Sequence, residues 1–231
     1  MQSFARNMSQ QDQIRKDWRL LAGPLASCIF GMGVIGLSRM IPGYSQIRQT
    51  VSEIGEVGSP ARLSFALMLC SVAVCLLIFS AGIRASALRT CRSRWPAFFV
   101  AYMAIPAAGI GIFAYPHVLH NVFGLLEIVG YQAPIVMAFC WRRDRGARML
   151  ARFSFVMAVV VWVAIVLNLT TLHRYGSLWE QIRPLYGVVQ RSLFAAWFGW
   201  GGTVGVLLYV ASSEKISSKS VRGEIDLPAE N

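Results

Sequence analysis

Charge is scarce in this sequence, and acidic charge above all. Of 231 residues, 14% are charged, and only 11 are Asp or Glu against 22 Lys or Arg. With 55% hydrophobic residues, the chain lacks the polar surface that an ordinary soluble domain of this length needs. Histidine is rarer still, with three in the chain, and there is no HExxH spacing, so the usual helix-borne zinc pattern is missing. Five cysteines occur, and none falls in the connections assigned below to the outer side, which excludes an extracytoplasmic disulfide framework. Leu25-Ala26-Ser27-Cys28 imitates a lipoprotein cleavage box. Its apolar run follows the cysteine instead of preceding it, so the segment reads as an uncleaved helix. No internal repeat and no second globular domain is evident.

What the chain has instead is long hydrocarbon. A helix needs ~20 apolar residues to cross a bilayer. Six blocks satisfy this: about 20–38, 61–83, 95–115, 119–141, 151–171 and 190–210. The expected fold class is therefore all-α, a polytopic bundle of six transmembrane helices spanning 20–211. A cytoplasmic segment, 1–19, precedes it, and a polar disordered cytoplasmic tail, 212–231, follows. Glycines in the first and last blocks (Gly31, Gly33, Gly36; Gly199, Gly201, Gly202, Gly205) are read as close-packing positions.

The net charge of +11 is a topology signal, not a nucleic-acid signal. Sixteen Lys and Arg fall in the N-terminal segment, the second and fourth connections and the tail; six fall on the other side. Positive residues stay in the cytoplasm, so both termini are expected there, in a bacterial inner-membrane protein. Trp18, Trp95 and Trp141 fall at the expected cytoplasmic boundary, as interfacial aromatics do.

The polar chemistry gathers on the opposite side. Pro42-Gly43 signals a turn, Ser45 can cap a helix and Gly55 can end it, with Ile47, Val51 and Ile54 at helical spacing between them. This predicts a short surface helix in the first outer loop, carrying Tyr44, Arg48, Gln49, Ser52 and Glu53. His117 and His120 lie three apart and, with His173 and Glu53, offer a possible metal set. The plainer reading is hydrogen bonding, and no metal or other cofactor is expected. Gln190-Arg191 opens the last span, where an Arg must snorkel or find a partner. Glu53 is the expected partner, with His120 nearby. Glu127 is the most isolated charge, near the middle of the fourth span, and an intramembrane carboxyl is a functional candidate by default.

GYSQIRQTVSEIGEVGSPARLSF, an aromatic-Pro turn, His120-Asn121 and Gln190-Arg191 together resemble the pattern of the bacterial domain-of-unknown-function 998 family, six-helix membrane proteins, over roughly 18–210. The chain departs from that pattern at His117 and at Gln190, where acids are common. It is more weakly similar to the damage-regulated autophagy modulator family, whose relatives are linked with lipid-anchor remodelling and membrane traffic. The resemblance implies that Ser52, Glu53, His120 and Arg191 meet at the outer surface, with Tyr44, Arg48 and Asn121 beside them.

Four functions compete. The first is binding or handling of a lipid headgroup at the outer face, with a guanidinium of Arg48 or Arg191 as phosphate clamp. The second is an amidase or esterase using Ser52, Glu53 and His120. The third is a small-solute or proton-coupled carrier built around Glu127. The fourth is a scaffold whose polar cluster only locks helices together. Membrane lipids are the expected partners, with no nucleic acid and no soluble protein.

Overall fold

The computed structural model describes residues 17–170 and 176–223, the last eleven in backbone only. Among the described residues the chain is all-helical, and six helical stretches are long and apolar enough to cross a membrane: Trp18–Ser38, Arg62–Arg89, Trp95–Ile112, Val118–Trp141, Arg145–Leu169 and Ser177–Ser212. The protein is therefore a multi-pass membrane protein. Its helices are α1 (Ala22–Ser38, entered by the 3-10 turn Trp18–Leu21), α2 (Arg62–Arg89), α3 (Trp95–Ile112), α4 (Val118–Gly130), α5 (Ala133–Trp141), α6 (Arg148–Leu169), α7 (Ser177–Ile182) and α8 (Tyr186–Gly223). A further 3-10 turn, Val51–Gly55, sits in the first long connection.

Neighbours in sequence pack side by side. The order runs α1, α2, α3, then α4 and α5, then α6, and α8 closes the ring against α1. Large outward-facing side chains such as Met32, Leu63, Leu67, Ile105, Phe155 and Val163 are exposed, an apolar belt suited to lipid. Trp197, Trp200 and Phe79 are fully buried among the helices. Inside a bilayer, lipid tails solvate Leu as well as another helix does, so association depends on close fit. Gly205 illustrates this: a Cβ there would lie 2.5 Å from the Leu20 carbonyl oxygen.

Three expectations change at this level. The fourth span is not one helix. It breaks at Tyr131-Gln132, between α4 and α5, and Pro134 sits in the first turn of α5. Proline offers no N–H, so Pro134 cannot donate to the Gly130 carbonyl four residues back and the ladder is interrupted there. Trp141 lies at the expected boundary but faces inward and not the lipid: it is buried, its Nε1 donates to the Ser93 carbonyl at 2.9 Å, and Arg92 lies over its ring. The chain expected to be disordered from 212 is helical as far as Gly223.

At the basic end, Asp17 is buried and accepts from Arg19 (2.7 Å) and from Arg89 (3.2 Å), tying the entry of α1 to the end of α2. Asp144 pairs with Arg92 across the connections before α3 and α6.

Candidate functional site

The first long connection folds without becoming a surface helix. Its helical part is the 3-10 turn Val51–Gly55, capped by Thr50 and not by Ser45. Glu53 makes that cap a reciprocal one: its Oε1 accepts from the Thr50 N–H at 2.8 Å, while the Thr50 hydroxyl oxygen accepts from the Glu53 N–H at 3.4 Å. Glu53 Oε2 accepts from Gln49 Nε2 at 2.9 Å, and Gln49 Oε1 accepts from the Ser45 N–H at 2.8 Å. Of the three apolar positions expected to face the membrane, Val51 and Ile54 are buried against the bundle and Ile47 is exposed.

The start of α8 holds this loop. Arg191 Nη1 donates to the Gln49 carbonyl (2.8 Å) and the Gly187 carbonyl (2.9 Å), and Nη2 donates to the Tyr44 hydroxyl (2.6 Å). That hydroxyl donates to the Thr50 carbonyl at 2.6 Å. Gln190 Oε1 accepts from the Val51 N–H at 2.7 Å. Gly187 lets the strands of backbone meet, since a Cβ there would lie 2.5 Å from the Gln49 oxygen and 2.6 Å from the Gln46 oxygen. Burial pushes the Tyr44 phenol above its ordinary value of 10.0, against the pull of the Arg191 charge, which keeps it a neutral donor.

The expected Glu53–Arg191 ion pair does not form. Among the described residues the ion pairs are those of Asp17 and Asp144. Glu53 is consumed by its own cap, and Arg191 places Nη1 and Nη2 on carbonyls and a phenol, so both ends of the expected pair meet the same loop through different atoms. The Arg191 Nε is buried with no hydrogen-bond partner.

Beneath this loop lies a cleft of about 450 Å³. It exists because α4 packs substantially on α3 and stands off from α6 and α8. Ser52 and Val51 from the loop, His120, Asn121, Gly124 and Glu127 from α4, Tyr131 at the helix break, Asn168 from α6, and Tyr186 and Gln190 from α8 line it. Phe30, Phe65, Leu69, Ile110, Ile165, Leu193 and Phe194 supply apolar wall. Asn121 and Leu125 line the cleft and are exposed, so it reaches the surface beside α4. The helix break fits this place: irregular backbone at membrane depth is tolerated where it borders a cavity.

Within the cleft, Glu127 accepts from the Tyr131 hydroxyl at 2.8 Å. His120 is buried, and its Nδ1 donates to the Phe113 carbonyl at 2.8 Å, because a carbonyl can only accept. Asn168 Nδ2 donates to the Ala164 carbonyl at 2.8 Å. His117 does not join them: its Nδ1 accepts from the Leu119 N–H at 3.1 Å and caps α4. His173 lies outside the described residues. Among the described residues, no three His, Cys, Asp or Glu side chains gather into a metal-binding group.

So Ser52, His120, Asn121 and Glu127 come together, while Tyr44, Glu53 and Arg191 form the latch above them. Arg48 is exposed and lines neither. Tyr131, Asn168, Tyr186 and Gln190 complete the polar lining. Their common lining role arises from the stand-off of α4, which no local pattern encodes.

The same regions carry the family match. Residues 22–209 fit the family model described as "Protein of unknown function (DUF998)". The chain belongs to the DUF998 family. No curated protein and no solved structure matches it.

Proposed function

We propose that this DUF998 protein binds a membrane amphiphile, its polar end among Ser52, His120, Asn121 and Glu127 and its chain along the apolar wall. The observation that carries this reading is the two-sided lining of the cleft, joined to its exposed rim at Asn121 and Leu125. Ligand sites combine apolar walls with a few placed polar groups, and a rim on the flank of a membrane bundle admits a ligand from the lipid. The charge distribution supports reading the basic end as cytoplasmic. The termini are then cytoplasmic, the cleft opens at the outer face, and the membrane is the bacterial inner membrane.

A carrier is the second reading, favoured by the helix break beside Glu127, since broken helices border transport sites. Hydrolysis by Ser52 and His120 draws less support, because Glu53, the acid expected to assist, is spent on the Thr50 cap.

The test uses Gly124, which lines the cleft and where an added Cβ would meet nothing within 4 Å. Gly124→Phe fills the space with little strain on the bundle. Mass spectrometry of lipids co-purifying with wild type and with this variant is expected to show one lipid class enriched in the wild type alone. Identical bulk-lipid profiles contradict the proposal.

A further inference from the structure

We propose that the amphiphile taken by this cleft carries a protonated amine at its polar end, held by Glu127. This rests on the reading of the cleft as an amphiphile site and names the ligand's chemistry.

Charge complementarity carries it. Among the described residues, those lining the cleft include no Lys and no Arg, and Glu127 is their one carboxyl group. Arg191, the nearest candidate for a phosphate clamp, does not line the cleft and spends Nη1 and Nη2 on Gln49, Gly187 and Tyr44. An anionic head would therefore enter a site with a carboxyl and no opposing guanidinium or ammonium. A cationic head meets the reverse situation. Intramembrane carboxyls are costly and characteristically pair with a cation or another polar group. Among the described residues Glu127 has one hydrogen-bond partner, the Tyr131 hydroxyl, whereas a carboxylate has about four acceptor positions. No described residue lining the cleft supplies a counter-charge to it.

Aromatic walls point the same way. Tyr131 follows Glu127 by one turn and lines the cleft with it, and Phe30, Phe65 and Phe194 contribute further rings. Ring faces attract an ammonium within about 6 Å, more strongly where water is excluded. A carboxyl in a cleft that aromatic rings also line is suited to a cation with an apolar chain, which describes a long-chain amine better than a fatty acid, an alcohol or a phosphate-headed lipid.

The experiment uses the full chain in phosphatidylcholine nanodiscs and three photoactivatable sixteen-carbon probes with the same diazirine position: a primary amine, an alcohol and a carboxylate. Adducts are mapped by peptide mass spectrometry. The amine is expected to label the walls of α4 and α6 about tenfold more than the carboxylate, the scale of one favourable ion pair in a partly desolvated site. Glu127→Gln, which keeps an acceptor for Tyr131, is expected to erase the amine's advantage over the alcohol. Should Glu127→Gln fail to fold, the amine-to-carboxylate ratio in wild type decides. Equal labelling by the three probes, or an amine advantage that survives in Glu127→Gln, overturns the amine assignment and leaves the amphiphile reading standing. Failure of every probe to label the cleft overturns both.

Discussion

Arg191 donates to the hydroxyl of Tyr44 at 2.6 Å, and these two residues lie 147 positions apart in the chain. The bond fastens the first long connection to the start of the last membrane helix. Because the Tyr44 hydroxyl also donates to Thr50, Tyr44→Phe removes two hydrogen bonds at once and leaves the Thr50 carbonyl without that donor. A net hydrogen bond contributes about 1 kcal/mol and a charged one about 1.5–3. Tyr44→Phe is expected to cost about 2 kcal/mol, read as a lower thermal midpoint in detergent and faster proteolysis between 44 and 55. An unchanged midpoint and unchanged cleavage would show that the latch contributes nothing to loop order.

Gln190 offers a sharper comparison. It uses its carbonyl oxygen to accept from the Val51 N–H, a role that a carboxylate also fills. Gln190→Glu is expected to hold the loop at neutral pH, whereas Gln190→Leu strands the Val51 donor and costs about 1–3 kcal/mol. Equal thermal midpoints for the two variants would contradict this role.

Gly187→Ala tests the same contact from the backbone. The new Cβ would sit 2.5 Å from one carbonyl oxygen and 2.6 Å from another, so the loop must lift. A residue pair such as Ile47→Cys with Val188→Cys then reports the lift, because Val188 donates its N–H to the Ile47 carbonyl in the seated loop. Cross-linking is expected to drop when Gly187→Ala is added.

Asp17 supplies a pH dependence. Burial alone would raise its carboxyl, but the hydrogen bonds and charges of Arg19 and Arg89 outweigh burial and hold it below its ordinary value of 3.8. A carboxyl lowered on folding stabilises the fold above the unfolded value, and that stabilisation fades as pH falls through the folded one. Asp17→Asn is expected to cost about 1–3 kcal/mol at pH 7, discounted because both guanidinium partners are partly exposed. The gap between wild type and variant should close below about pH 4. A gap that stays constant from pH 7 to pH 3 would contradict the ionic account.

Cys91 reads the orientation. It is an exposed free cysteine in the connection between α2 and α3, at the basic end. In intact cells a membrane-impermeant maleimide is expected to miss Cys91 and to label a cysteine placed at the exposed Arg48 position. Labelling of Cys91 from outside would invert the topology, and the cleft would open to the cytoplasm.

The six spans were legible because a bilayer demands ~20 apolar residues in a row, a signal written in composition alone. The importance of Gln190 and Arg191 was legible too, since polar groups at the mouth of an apolar helix need partners. Their partners were not. Side chains suggested an ion pair with Glu53, but the fold answered with backbone carbonyls and a phenol, which charge pairing cannot anticipate. Ser45 and Thr50 are both good caps by residue type. Only the reach of Glu53 three residues beyond Thr50 separates them, and that capping-box spacing was present in the sequence. The break at Tyr131-Gln132 had a signal in Pro134, masked by the apolar residues on both sides. The cleft had none, because it depends on how far α4 stands from α6 and α8.

The most direct test of the account is a crystal structure of the full chain grown in a lipidic phase with its native lipid. Elongated density running from Glu127 along the Phe30 and Phe194 walls to the rim at Asn121 is the predicted result. A cleft closed by its own side chains, or filled only by water from rim to floor, would contradict it.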